Sequence, residues 1–288
     1  MWIIYSLLTA FSLATSDTLT KRVLASRDEY FVAWARLMFC LPPLMLSFLF
    51  IQIPSLDRTF WVATFCALPL EIVAIILYTK ALKVSPMSLT IPFLALTPLF
   101  LIAISYLVLG EKVSLYGGIG IILMAAGGYV LNMHEIRKDL AAPIKAIFRE
   151  KGSMMMIAVA FIFSFTSSLG KLAIEHSSPV FFGSFYFILV ALFFTPIAMF
   201  NSSEKLKISR KDMMPLMYVG LTYAMMIIFH MIAISMTQVA YMISVKRMSL
   251  FFSIFYGYLI FKEKNIRERT LGSVIMFSGF LLIVLGAN

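Results

Sequence analysis

Tyr106–Lys112 reads YLVLGEK, and at an offset of 152 positions Tyr258–Lys264 reads YLIFKEK. Each closes a long apolar run with a Glu-Lys pair, and each is followed by an apolar run containing glycine. The match continues beyond the motif: Gly120, Met124 and Gly127 fall on Gly272, Met276 and Gly279 at the same offset. Nearer the start, Leu19 and Lys21 fall on Leu169 and Lys171 at an offset of 150, and the polar stretch Thr15–Thr18 overlies Phe165–Ser168. A two-residue insertion in one loop accounts for the drift. The chain is therefore a tandem duplication of one unit.

Each unit holds five apolar runs. Across the 288 residues they fall at about 2–22, 30–52, 59–81, 84–108, 114–133, 153–174, 178–200, 213–236, 238–261 and 268–286. A helix of about 20 apolar residues crosses the hydrocarbon core of a bilayer. Continuous runs of this length, rather than short alternating segments, point to helices and away from a membrane barrel. Composition agrees: 61% of residues are hydrophobic, 13% are charged and the mean hydropathy is +0.94, outside the range of soluble globular domains. The expected fold is an all-α integral membrane protein of ten transmembrane helices in two inverted five-helix repeats. Residues 1–133 form the first repeat, 134–152 an amphipathic cytoplasmic linker and 153–288 the second repeat. Because five is odd, the second copy must enter the membrane in the opposite direction from the first, an arrangement common in secondary transporters.

Charge tests the inversion independently. Of the 24 Lys and Arg, 18 fall on the odd-numbered connections and three on the even-numbered ones. The positive-inside rule then makes the odd connections cytoplasmic and both termini extracytoplasmic. The net charge of +10 is accounted for by this bias and by contact with anionic lipid, so no nucleic-acid partner is expected. In the linker, Ile136, Leu140, Ile144, Ile147 and Phe148 alternate with Arg137, Lys138, Lys145, Arg149 and Lys151, the spacing of a helix lying on a membrane surface. Pro143 is expected to interrupt it.

The two cysteines, Cys40 and Cys66, lie inside apolar runs and read as small buried hydrophobes, without metal-ligand or disulfide spacing. Met1-Trp2-Ile3-Ile4 lacks the positive leading region of a secretory signal, so the first run is expected to remain as a helix. No HExxH, GxSxG or Walker loop occurs, and neither enzyme activity, a cofactor nor direct ATP coupling is expected.

Against this apolar background a few charges stand out. Gln238–Phe261, QVAYMISVKRMSLFFSIFYGYLIF, carries Lys246 and Arg247 as its ninth and tenth residues. A cation at the bilayer centre costs at least about 2.5 kcal/mol, so the pair is expected to face a protein cavity and a negative partner. Their counterparts in the first repeat are Leu94 and Ala95, so the feature belongs to one copy only. Ser249 and Tyr241 are the polar neighbours expected to help bind substrate. Glu71, in the middle of the third run, is either a coupling group or counter-ion for a ligand, or a structural partner of the basic pair. His230, at the position matching Tyr78, is a packing residue or a proton-transfer group. Arg36 either snorkels to the interface or contacts ligand as a secondary site. Asp17 and Lys21, four apart on one helix face, are expected to pair, and Lys171 to reach the interface. Tyr256 and Tyr258 are candidates for lining a pathway, Pro92 and Pro98 for kinking the fourth span, and Met154–Met156 for adaptable packing.

The duplicated Leu107–Lys112 and Leu259–Lys264 runs, each followed by a glycine-containing span, resemble the drug/metabolite transporter superfamily, in particular its EamA-type members with two five-helix repeats. The resemblance covers essentially the whole chain and implies a transporter. Ser244-Val245-Lys246-Arg247 is similar to the ninth-helix Lys-Arg pair with which plastid members grip phosphate. Those members also bring a lysine from the fourth helix, whereas Val84–Leu109 contains no charged residue. The resemblance therefore implies a single phosphate, a carboxylate or a phospholipid-like headgroup rather than triose phosphate. The leading expectation is a secondary transporter moving a small anionic or zwitterionic metabolite across the bacterial inner membrane by alternating access. The alternatives are an exporter of amino acids or drugs with a structural basic pair, and a flippase for a phosphorylated lipid. Expected partners are the substrate and the lipid bilayer, with a homodimer left open.

Overall fold

In the computed structural model, residues 1–85, 90–130, 151–204, 206–253, 256 and 266–286 are described. Among them there is no strand; ten α-helices carry the fold. In chain order these are α1 (Trp2–Leu24), α2 (Glu29–Ser47), α3 (Arg58–Val84), α4 (Thr97–Leu109), α5 (Leu115–Val130), α6 (Lys151–Glu175), α7 (Pro179–Asn201), α8 (Arg210–Ser235), α9 (Val239–Lys246) and α10 (Ile266–Gly286). Six helical stretches are long and apolar enough to cross a membrane, and two shorter apolar helices accompany them. The chain is a multi-pass membrane protein. Its outward surface matches a lipid environment: Leu49, Phe50, Leu107 and Phe200 are exposed.

Helix starts follow local chemistry. Asp28 accepts hydrogen bonds from the backbone amides of Tyr30 (2.9 Å) and Phe31 (3.0 Å), and Asp57 accepts one from Phe60 (2.9 Å). The first run does form helix α1, despite its hydroxyl-rich sequence. Ser6, Thr9, Thr18 and Thr20 each donate to the carbonyl four residues earlier, which satisfies them without water.

Two of the runs read as continuous spans are broken. Pro92 lies at the start of a 3-10 segment, Ile91–Leu96, and Pro98 at the start of α4, so the prolines divide the fourth run into two helical pieces. In the second repeat, α9 stops at Lys246, and Arg247 and Met248 form a turn before helix resumes over 249–253. The bonds here are of the tighter type: Met248 N–H to the Val245 carbonyl (2.9 Å) and Leu250 N–H to that of Arg247 (3.0 Å). The basic pair thus sits at the break, where the C-terminal end of α9 favours positive charge.

Packing respects the duplication. α3 lies on α6 as α1 lies on α8, α4 lies on α6 as α9 lies on α1, and α5 pairs with α10 and α2 with α7. Exchanging the two copies maps this set of contacts onto itself. The glycines matched in sequence make the closest approach. A Cβ added to Gly120 would lie 2.7 Å from the Gly279 carbonyl oxygen, and one on Gly127 would lie 2.8 Å from that of Gly272. As numbers rise along α5 its contacts descend along α10, so these equivalent helices run antiparallel. The same holds for α2 and α7, where Asp28 meets Ser203 and Ser47 meets Ser184.

Cys40 is buried as expected, but Cys66 is exposed, because it occupies the outward face of α3. The linker, apart from its last two residues Lys151 and Gly152 in α6, lies outside the described residues, as do Gly257, Tyr258 and the Glu263-Lys264 copy of the motif.

Candidate functional site

A cavity of about 110 Å³ lies between the repeats, with walls from α1, α2, α3, α6, α7, α8 and α9 and from Leu94 in the 3-10 segment. Most helices of both copies contribute, as expected of a binding site at a repeat interface.

Its first polar group is a closed cluster. Arg36 Nη1 donates to Asp17 Oδ1 at 3.1 Å, and the Tyr78 hydroxyl donates to Asp17 Oδ2 at 2.5 Å. The Arg36 guanidinium also stacks 3.8 Å from the centroid of the Tyr223 ring. Four helices are tied together by one neutral pair, and the arrangement corrects two expectations. Arg36 does not snorkel, because its partner is an acid inside the bundle. Asp17 does not pair with Lys21, whose ammonium instead donates to the Leu82 and Ser85 carbonyls at the end of α3.

Lys246 and Arg247 both line the cavity. Arg247 Nη2 donates to the Thr97 hydroxyl at 2.9 Å, so the first residue of α4 holds the guanidinium of the second repeat. Arg247 is buried, and its Nε has no hydrogen-bond partner among the described residues. Among those residues no carboxylate comes within 4.0 Å of either cation.

Glu71 faces the same cavity. Its carboxylate interacts with the Thr166 side chain and, electrostatically, with Lys246, which also lines the cavity, without a direct ion pair. The alternative of a direct structural bridge between Glu71 and the basic pair is therefore absent among the described residues. His230 also lines the cavity, with its Nδ1 buried and unpartnered among the described residues, and so does Tyr186, whose hydroxyl is in the same condition. Leaving a buried polar group unsatisfied costs about 1–3 kcal/mol, which marks these atoms as places where a polar guest is rewarded.

Two expected substrate contacts stand elsewhere. The Tyr241 hydroxyl accepts from Ser114 N at 2.9 Å and donates toward Ser114 Oγ at 3.1 Å, with the Gly286 carbonyl 3.4 Å away. It fastens α9 to the start of α5 and the end of α10. Ser249 is buried beyond the break but is not part of the cavity wall. Tyr256 bonds its hydroxyl to Thr15 at 2.7 Å, joining α1 to the second repeat.

The sequence points to no site role for Thr97, Thr166, Tyr186 or Tyr223, and offers Asp17 only a pairing with Lys21. A signal existed for two of them. Asp17 and Thr166 lie in the polar stretches that overlie each other in the duplication; Thr166 and Ser167 line the cavity, and Asp17 bonds to the lining residues Arg36 and Tyr78. Glu111, which in the sequence stands out only as part of the repeated motif, has a structural role. Its Oε1 lies 2.5 Å from Lys171 Nζ, and its Oε2 accepts from the Val239 amide at 2.9 Å. Lys171 also donates to the Thr237 carbonyl at 2.8 Å, so it is tied into the protein rather than free at an interface.

Comparison with known proteins places this geometry. Residues 1–133 and 150–285 match the family described as the EamA-like transporter family. No curated protein matches the chain significantly in sequence. Twenty-eight solved chains do match in structure. One of them, a protein crystal structure, superposes with a TM-score of 0.78 at 13% identity, covering 99% of this chain and 97% of that chain. At that identity the likeness speaks for the fold alone.

Proposed function

Since the chain belongs to the EamA-like transporter family, we propose that it is a secondary transporter with ten membrane spans, carrying a small metabolite with a phosphate or carboxylate group. Lys246 and Arg247 grip that anion, and the cavity is exposed alternately to the two sides as the repeats rock against each other. The observation that carries this reading is the basic pair itself: two cations at a helix break, turned into a cavity, with no acid within 4.0 Å among the described residues. An uncompensated buried cation is costly unless a guest neutralises it. Arg supplies a planar fork for a phosphate or carboxylate, and Lys adds a point charge.

The inverted architecture is supported by the antiparallel run of α5 against α10 and by the odd-versus-even bias of loop charge. On this reading the membrane is the bacterial inner membrane, both termini are extracytoplasmic, and the Arg27–Glu204–Asp212 cluster that joins the α1–α2 and α7–α8 turns is cytoplasmic. An exporter with a purely structural basic pair fits less well, because Glu71 does not reach either cation.

Uptake of labelled phosphorylated and carboxylated metabolites into proteoliposomes tests the proposal. Lys246→Met and Arg247→Met, which keep volume and remove charge, are expected to lower uptake of the accepted anion at least tenfold. Full transport by the double variant would overturn it.

A further inference from the structure

The cavity carries a second pole. Asp17 and Arg36 neutralise each other, leaving Lys246, Arg247 and Glu71 as the charges that face the space without an ion-pair partner among the described residues. Glu71 is 8% exposed and lines the same cavity as the basic pair, with no carboxylate–cation contact within 4.0 Å between them among the described residues. The Thr166 side chain, which interacts with the Glu71 carboxylate, and the Tyr186 hydroxyl, buried and unpartnered among the described residues, line the same cavity. Aromatic faces frame this end: Phe182 stacks on Tyr186 with centroids 5.1 Å apart, and Phe187 meets Tyr186 edge-on at 5.7 Å. A carboxylate, two hydroxyls and aromatic rings form an acceptor-rich pocket suited to an ammonium group.

We propose that Glu71, Thr166 and Tyr186 bind a cationic amine on the same molecule whose anionic end is held by Lys246 and Arg247, so that the substrate is an amine-bearing phosphomonoester. This rests on the proposed function above and names the substrate class of the same site. Charge selects the class. Two formal positive charges face one negative charge, leaving the cavity one positive charge in excess. A phosphomonoester carries about −1.5 to −2 at pH 7, so with one ammonium it complements both poles and the excess together. A simple carboxylate or phosphate leaves Glu71 unpaired. A neutral amino acid, or a phosphodiester headgroup bearing an amine, satisfies both poles but leaves the excess charge standing.

Binding to the full chain in nanodiscs, read by titration calorimetry, tests the inference without requiring transport. The probes are O-phosphoethanolamine, its amine-free match ethyl phosphate, the carboxylate pair β-alanine and propionate, and glycerophosphoethanolamine as the diester headgroup. O-Phosphoethanolamine is expected to bind at least tenfold tighter than each of the others. Glu71→Gln and Tyr186→Phe are expected to bring its affinity to within about threefold of ethyl phosphate, and thermal unfolding of the same samples checks that these variants are folded. Equal affinity of the wild type for O-phosphoethanolamine and ethyl phosphate would overturn the second pole while leaving the anion site intact. Tightest binding of β-alanine or glycerophosphoethanolamine would overturn the phosphomonoester assignment. Ethyl phosphate binding that survives the Lys246→Met/Arg247→Met double variant would instead sink the anion site, and the inference with it.

Discussion

A single side chain is worth most where its partner is unique. Asp17 is buried and spends both oxygens, one on Arg36 and one on Tyr78. Asp17→Asn strips the guanidinium of its counter-charge and is expected to destabilise the protein by about 3–5 kcal/mol, the usual cost of breaking one side of a buried pair. Asp17→Asn with Arg36→Met should recover part of that loss. Thermal unfolding in detergent checks both, and a silent single variant would show that the pair is not structural. On the solvent side, the Asp57 carboxyl is held below its ordinary range, first by the Phe60 amide and then by His176, 2.7 Å away. A depressed acid stabilises the fold above its unfolded value near 3.8 and ceases to do so as pH falls through the lower folded value. Acid titration of the unfolding temperature should therefore show a decline below about pH 4 that is shallower in Asp57→Asn. The basic pair was legible in the sequence because charge in an apolar run is anomalous on its face. The Asp17 cluster was not, because Lys21 offered a local partner at helical spacing, whereas the true partners come from α2 and α3 and exist only once the bundle packs. Tyr186 and Tyr223 gave no signal either, since an apolar stripe turned to lipid and one turned to a cavity read alike.

Among the elements, the Gly110-Glu111-Lys112 turn, whose counterpart reads Lys262-Glu263-Lys264, has the clearest mechanical role. Gly110 ends α4 with φ of 71°, in the left-handed region, and that reversal sends Glu111 to the Lys171 ammonium and the first amide of α9. One turn thereby fastens α4, α6 and α9. A Cβ at Gly110 meets nothing within 4 Å, so Gly110→Ala has only a backbone penalty, expected at about 1–2 kcal/mol, and Gly110→Asn should cost less. Chemical unfolding distinguishes them, and equal losses would mean the turn, not its handedness, is being read. The sequence marked this motif as a repeat because the two copies spell alike. Its function was hidden, because the lysine it binds lies 60 positions away. The breaks in the fourth and ninth runs divided differently: prolines announced the first, while nothing in residues 239–250 of the second distinguishes a turn at Arg247 from a continuous helix.

At the scale of the whole molecule, two equivalent helices must run in opposite directions for one repeat to be the inverse of the other. α5 and α10 do, with Gly120 on Gly279 and Gly127 on Gly272, and at each of these contacts the backbones approach so closely that only glycine fits. Antiparallel packing by itself does not say which end faces the cytoplasm; the proposed orientation rests on the loop charges. Eighteen of 24 Lys and Arg lie on odd connections, and the bias reverses between matched loops of the two copies: the Gly110–Val113 turn carries one cation and its partner Lys262–Arg269 carries four. Insertion keeps basic loops inside, so in the proposed topology the segment after α10 emerges on the opposite side from Lys262–Arg269. An alkaline-phosphatase reporter fused after Asn288 is accordingly expected to be active, and a green fluorescent reporter at the same place to be dark. Moving charge should also move the outcome. Replacing the four cations of Lys262–Arg269 with Gln removes the main signal that holds this loop inside, and is expected to yield a mixed population in which both reporters give partial signal. A fluorescent, phosphatase-inactive wild-type fusion would reverse the orientation and, with it, the cytoplasmic assignment of the Arg27 cluster.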